Sequence, residues 1–529
     1  MTTTREYPMM RYIRLSLAAV AALLLAVSCA REQSESYNKL EDLSLEAWMA
    51  HNKPELLGNR QGFGNASYYI EVLDAGDSGA RPVNDTVCWV QFDFSGRDLA
   101  SHEIIITRSA RQAKLAGTFT KYTHYVPFYR YCGTGNTGLP EATYLAMRNE
   151  QTLGEDYVAD FNRNNPGREI ELPFLLREGA RVALYCPSRV VGDLSSSGGY
   201  EGDFTLAASK PVRIEMTICD TVKNPLQAEG SAVDSYCRQQ GGLRIYRSSK
   251  EAADGVVPLP TDPKDANHPY RVAERWVSAC DSLPQLYVDY RYTPARQLVF
   301  PEPYAVGVEP YASEASMALV DQQINEALRK RFLDDDAADF PDAVTLDADS
   351  VGMEGKAKIW YITRFLDGFV LDTNIDEVKQ IVYGEVKTAG KASEYTPEKG
   401  GAVQAWYYTV PKLKYGQWAA IVTVSTPAYG AQGQQGSTQS SSSGSGYSQS
   451  YSDYLNLLNY ANAYYGNGYG GYFPGYYGNY LGGMYGGYGS YMGGIGSGDG
   501  DQSETTTTVI TEVLPFTPLV FQIYVEPAE

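Results

Sequence analysis

Ile359-Trp360-Tyr361-Ile362-Thr363-Arg364-Phe365-Leu366-Asp367-Gly368-Phe369-Val370-Leu371-Asp372 is the stretch on which the reading of this chain turns. Lys356 to Arg364 is rich in aromatic and β-branched residues and reads as a strand. Leu366-Asp367-Gly368-Phe369 supplies an Asp-Gly turn, because glycine accepts the positive φ that a tight hairpin requires. Val370-Leu371-Asp372 is then the return strand. Further along, Val403 to Val410 reads as a short helix stopped near Pro411, whose ring cannot continue one. Gly416 leads into another strand, Trp418 to Ser425, and Leu519 to Val525 is the last. Strands arranged about one short helix predict an α+β domain, an antiparallel sheet wrapped on that helix. Upstream, Ala312 to Phe332 is a helix, with Ala315, Leu319, Ile324, Leu328 and Phe332 at roughly helical spacing.

The first half has a similar texture. Leu43 to Ala50 predicts a helix with Ser44 as N-cap and with Ala47 and Trp48 towards the core. Tyr68 to Leu73, Val87 to Phe94, Glu103 to Thr107, Arg181 to Cys186 and Val212 to Cys219 read as strands, and Leu172 to Leu176 as helix-like. Residues 220–310 hold many Pro, Gly and charged positions and read as an irregular connector or small subdomain.

Composition excludes several classes of function. A formal net charge of -19 with no basic run argues against nucleic acid, which is bound mainly through clustered Lys and Arg. The four histidines are His51, His102, His124 and His268, so a His-rich metal site is not expected, and chemistry in the C-terminal half must proceed without a histidine of its own. Gly133 to Gly138 matches a dinucleotide pattern by letters but lacks the flanking strand and helix. Asp334-Asp335-Asp336 with Asp339 lacks the ligand alternation of a calcium loop. No cofactor and no metal is expected.

Arg5, Arg11 and Arg14 precede an apolar run from Leu15 to Val27, the pattern of a signal peptide. Ala26-Val27-Ser28-Cys29 resembles a bacterial lipobox, in which Cys29 would be acylated; an ordinary signal peptide is the alternative. A lipid on Cys29 would anchor the chain at the cell envelope, in the outer membrane facing the periplasm or the surface. The other cysteines are Cys88, Cys132, Cys186, Cys219, Cys237 and Cys280, none in a C-x-x-C pair. In an exported protein they permit disulfides, such as a clip between Cys237 and Cys280, or remain buried thiols.

Beyond these physical readings, the blocks Ile359 to Ile362 and Asp367 to Asp372 resemble the start of the FKBP-type peptidyl-prolyl isomerase fold. Ala402-Val403-Gln404-Ala405-Trp406 through Ala428-Tyr429-Gly430-Ala431-Gln432-Gly433 is similar to that family's central helix, strand and flap. Val513-Leu514-Pro515 and Leu519-Val520-Phe521 look like its closing strand. The resemblance implies a proline pocket. Tyr361, Asp372, Trp406, Tyr429 and Phe521 sit where the family has the same residue types. Leu371 stands in place of an aromatic, Ala402 of a larger aliphatic and Val403 of an isoleucine, while Tyr395 is the candidate for a further pocket aromatic. Tyr361, Asp372 and Tyr429 would be catalytic; Leu371, Ala402, Val403, Trp406 and Phe521 would bind substrate, a proline-containing segment of an exported protein. The alternative is a binding or assembly protein that keeps the fold without turnover.

The first half resembles a degenerate copy. Phe92-Asp93-Phe94-Ser95-Gly96 matches the first block with Phe94 at the place of Tyr361, and Leu176 to Val182 with Pro187-Ser188 matches the stretch containing Gly416. Glu169 falls at the tryptophan, Val191 at the flap tyrosine, and Thr107 or Arg108 near the aspartate. The chain then divides into a signal peptide (1–28), a lipid-anchored tether (29–43), the degenerate domain (44–220), a connector (221–310), a helical lead-in (311–355), the isomerase domain (356–433 with 508–529) and a flap insertion (434–507). The insertion is Ser/Gln-rich and then Gly/Tyr-rich, with 14 tyrosines from Tyr447 to Tyr491, and reads as disordered. A linker, a holder of unfolded substrate and a self-associating segment are all compatible with that composition.

Overall fold

The computed structural model describes residues 39–63, 66–83, 89–132, 141–190, 210–240, 276–280, 283, 285–300, 304, 314–333, 337, 339–341, 346–387, 389–397, 403–434, 437–440 and 507–528. Two compact units form, one from the described parts of residues 1–107, 131–197 and 204–221, the other from those of 108–130, 198–203 and 222–529. Each is built on its own antiparallel sheet with helices, an α+β architecture. The stretch read as a signal peptide, Cys29, Ala402, Val191, Cys88 and most of the stretch read as an insertion lie outside the described residues.

In the first unit the sheet runs, edge to edge, Arg60–Phe63, Ala66–Ala75, Ala180–Cys186, Val212–Val222, Trp89–Asp98 and Ile104–Thr107. Alternation is the physical signature: Val90, Phe92 and Phe94 point inward along one strand, and Val212, Ile214, Met216 and Ile218 along another. The N-terminal helix occupies 39–52, reaching into the stretch read as a tether, so Ser44 lies inside it and is not its cap. Leu45 and Met49, one turn apart, face the core, whereas Ala47 is exposed and Trp48 lies half-buried against the ring of Tyr185. The helix expected at Leu172–Leu176 is extended chain, with Phe174 bridged to Gln151 and Arg177 to Pro82. Pro173 disfavours helical backbone at Leu172, and local apolar content alone had suggested the helix.

In the second unit the order is Val277–Ser278, Leu286–Asp289, Trp418–Thr423, Leu519–Pro527, Ala357–Phe365 and Val370–Thr373, with Ser393–Tyr395 also on Ala357–Phe365. Part of the stretch read as the connector therefore has regular structure, two strands and the helix Pro225–Gln239. Trp418–Thr423 is buried at all six positions, which fits a central strand covered on both faces. One face carries Tyr361, Thr363, Ile421 and Phe521, since directly paired residues share a face. The other carries Trp360, Trp418 and Tyr524, whose rings surround Phe332 at 5.7, 5.7 and 5.0 Å. Phe332 ends the helix Glu314–Phe332, which buries Met317, Val320, Ile324 and Leu328; Leu319, expected inside, is 54% exposed. On this face Arg364 makes a buried ion pair with Asp321 of that helix at 2.6 Å.

Taken in sequence order, the six strands of each path are arranged 1-2-5-6-3-4 in both sheets. The hairpin of strands 3 and 4 also has a register shift at the same place, between Gly96 and Arg97 in one unit and between Thr363 and Arg364 in the other. Cys186, Cys219 and Cys237 are free thiols, so the Cys237–Cys280 clip is not formed.

Candidate functional site

The site lies in the second unit and starts from the short helix Gln404–Thr409. Its first turn is held by Trp406 N–H on Val403 O and by Ala405 N–H on Pro427 O, both 2.8 Å. This places the Trp406 indole against three rings, edge to face: Tyr361 at 5.6 Å, Phe521 at 6.2 Å and Tyr395 at 6.3 Å. Tyr361 and Phe521 come from neighbouring strands and share the face that the helix covers. Tyr361, Leu371, Val403, Trp406, Tyr429 and Phe521 belong to one apolar cluster, with exposures from 1% at Phe521 to 6% at Trp406 and Tyr429.

Tyr361 donates its hydroxyl to Asp372 Oδ2 at 2.8 Å. The hairpin sets this contact. Thr363 pairs with Asp372, and the register shift beside it turns the carboxylate towards the tyrosine two positions back. Burial pushes the Asp372 carboxyl above its ordinary value, opposed by the Tyr361 hydrogen bond and the charge of Lys379. Burial and then the Asp372 charge raise the Tyr361 hydroxyl far above its usual range, so it stays a donor. Thr373 and Asn374 complete the support: Thr373 Oγ1 donates to Tyr361 O at 2.7 Å, and Tyr361 N–H donates to Asn374 Oδ1 at 2.8 Å.

Tyr429 sits in a turn after the strand Trp418–Thr423. Ser425 O accepts the N–H groups of Ala428 at 2.9 Å and Gly430 at 2.8 Å, bracketing the tyrosine, and Gly430 adopts φ +76°. Beyond it, Gln434 and Val513 exchange two hydrogen bonds of 2.8 Å, and Ser437–Ser440 pairs with Thr507–Ile510. The two ends of the insertion are thus held side by side.

In the first unit the strand register sets the equivalent positions. Ser95 pairs with Thr107 and Gly96 with Ile106, as Ile362 pairs with Thr373 and Thr363 with Asp372. Phe94 therefore stands where Tyr361 does, as read from the sequence, but the aspartate position is held by Ile106 and not by Thr107 or Arg108. An expectation made without register slipped by one or two residues at the bulge. Arg108 belongs to the second unit, paired with Glu512 at 2.8 Å. Glu169, assigned to the tryptophan position, is an exposed loop residue whose carboxylate accepts Gly167 N–H.

Sequence reading missed several supports of the site. Thr373-Asn374, a polar pair directly after Asp372, was the available signal for the first two. His124 carried none: it enters the second unit on the segment 108–130, 2.7 Å from Asp367 Oδ2 and stacked on Phe365 at 4.4 Å. The unit thus holds a histidine despite having none after residue 268. It braces the hairpin turn.

No protein family model and no curated protein matches the chain. Among solved structures it is similar to a peptidyl-prolyl cis-trans isomerase from Pseudomonas syringae pv. tomato, at 13% identity over 36% of this chain and 96% of that one, with a TM-score of 0.21. It is also similar to FkpA from Escherichia coli, at 10% identity over 42% and 75%, TM-score 0.20. For the three FKBP domains of wheat FKBP73 the identity is 8% over 87% and 94%, TM-score 0.17. Likenesses this weak carry no argument for activity.

Proposed function

We propose that the second unit is a peptidyl-prolyl isomerase domain of the FKBP type, acting on proline-containing segments of exported or envelope proteins. The observation that carries this reading is the convergence of Tyr361, Tyr395 and Phe521 on the indole of Trp406, closed at one side by the Tyr361–Asp372 hydrogen bond. Rotation about an X-Pro bond faces a barrier of ~18–20 kcal/mol set by amide resonance. A dry apolar pocket favours the twisted amide, which has lost conjugation and with it part of its polarity. Trp406 is the floor for the proline ring, and Phe521 and Leu371 are its walls. The Val403 N–H, which makes no hydrogen bond among the described residues, and the Tyr429 hydroxyl are the donors for peptide carbonyls. Tyr361 and Asp372 fix the rim and face the rotating carbonyl.

Asp372→Val tests the reading. It leaves Tyr361 without its acceptor, costs about 1–3 kcal/mol of stability, and is expected to lower kcat/KM on an X-Pro peptide by about tenfold or more, a barrier increase of ~1.4 kcal/mol. Exchange-detected or protease-coupled isomerisation of a proline tetrapeptide measures it. Absence of any acceleration by the wild type sinks catalysis. The second reading, binding without turnover, is favoured by the low exposure of the whole ring set and by Leu371 at an aromatic position. Peptide binding by a wild type that does not accelerate rotation would establish it. The proposal extends to an envelope lipoprotein anchored through Cys29, on the strength of the basic, apolar and lipobox segments in sequence. Incorporation of a labelled fatty acid, abolished in Cys29→Ala, is the expected outcome.

A further inference from the structure

The helix Pro225–Gln239, far from the site in sequence, places one carboxylate beneath the turn that carries Tyr429. Glu229 is 4% exposed, and its Oε2 accepts the N–H of Ser425 at 2.9 Å. Its other oxygen, Oε1, makes no hydrogen bond. Ser425 is the residue whose carbonyl receives Ala428 N–H and Gly430 N–H, so the residues on both sides of Tyr429 hang from it. Within the same turn, Pro427 O accepts Ala405 N–H from the first turn of the helix that bears Trp406. A single buried carboxylate thus holds the root of a turn connected to both the floor and the donor tyrosine of the candidate pocket. A buried carboxylate is costly to keep. An apolar side chain would pack that space without the cost, and would leave the Ser425 N–H without its acceptor.

We propose that Glu229 is a positioning residue for the site, acting through the Ser425 amide to set where Tyr429 and the first turn of the Trp406 helix stand, and that loss of its proton loosens the site. This rests on the reading of Tyr429 and Trp406 as pocket residues. Burial lifts the Glu229 carboxyl to about 7, with hydrogen bonding to Ser425 opposing the rise. The titratable groups near it are engaged elsewhere: on its own helix Asp234 accepts from the Tyr287 hydroxyl and meets Arg238, and from the neighbouring strand Asp289 accepts from Arg291 N–H. None of these, nor Tyr236 or Cys237, contributes to the shift. The carboxylate form makes the stronger, charge-assisted bond to Ser425, but its desolvation outweighs that gain, so opening of the turn, which rehydrates the charge, becomes easier as pH rises through about 7.

The test uses the full chain and two variants, Glu229→Gln and Glu229→Ala, with two independent readouts. Hydrogen exchange by mass spectrometry follows residues 425–431 at about pH 6 and about pH 8, after correction for intrinsic exchange chemistry, and fluorescence titration follows binding of a labelled Leu-Pro tetrapeptide. In the wild type both protection and affinity are expected to fall about threefold or more from the lower to the higher pH. Glu229→Gln, which keeps an acceptor but cannot ionise, is expected to show neither fall, and Glu229→Ala to lose protection at both pH values. Equal pH dependence in wild type and Glu229→Gln overturns the proposal. A pH-dependent turn in a wild type that binds no proline peptide retains the positioning of the turn and instead overturns the isomerase reading.

Discussion

Asp372, half-buried, and Glu229, buried, face the same desolvation problem in the second unit and meet it differently. Asp372 has a hydroxyl partner in Tyr361; Glu229 has one amide and leaves an oxygen without a hydrogen bond. The consequence for Glu229 is a stability term with a definite sign. Its folded-state value of about 7 lies above the ordinary 4.5, so the folded chain binds the proton more tightly than the unfolded one. The contribution is fully present below about pH 4.5 and is lost as pH rises through about 7. Glu229→Gln is therefore expected to match the wild type near pH 4.5 and to exceed it at pH 8 by on the order of 2–3 kcal/mol in urea unfolding. The charge costs stability and holds its donor harder. Asp372 was legible in the sequence as a carboxylate among apolar strand residues. Glu229 was not, since it falls in the stretch 220–310 that reads as an irregular connector, and nothing local reports the strand that covers it.

Elements defined by near neighbours were read well, and their faces less so. The Asp367-Gly368 turn forms as its residues require: Phe365 N–H donates to Phe369 O, Gly368 N–H to Phe365 O, and Gly368 takes φ +88°. A Cβ at that glycine would stand 2.8 Å from Cγ of Phe300. Gly368→Ala is expected to cost about 2–3 kcal/mol through backbone strain and this clash, seen as a lowered unfolding midpoint with a smaller loss where Phe300 is trimmed to Leu. The helix Glu314–Phe332 was placed from its spacing, yet Leu319 faces out and Met317 and Val320 face in. Two overlapping stripes satisfied the helical period, and the choice was made by Trp360, Trp418 and Tyr524, which receive Phe332 at its end.

At the scale of the molecule, the shared 1-2-5-6-3-4 strand order and the shared hairpin bulge give the two halves one plan. The position-by-position correspondence is testable. Ile106→Asp places a carboxylate at a half-buried position opposite Gly96 and is expected to cost on the order of 1–2 kcal/mol. Adding Phe94→Tyr supplies the hydroxyl that Asp372 has, and the double mutant is expected to recover about 1 kcal/mol, read as a coupling energy in a double-mutant cycle. A coupling near zero would break the correspondence. The sequence by itself determined the hairpins, most strands, the short helix before Pro411 and the residue types of the site, because turn chemistry, period-two alternation and proline act over a few residues. Only the tertiary structure decided that Leu286–Asp289 joins the second sheet, that the segment 108–130 brings His124 there, that Ile106 answers to Asp372, and that Glu229 supports Tyr429. Strand partnership, register at a bulge and burial of charge are set by groups distant in sequence, whose meeting no local pattern encodes.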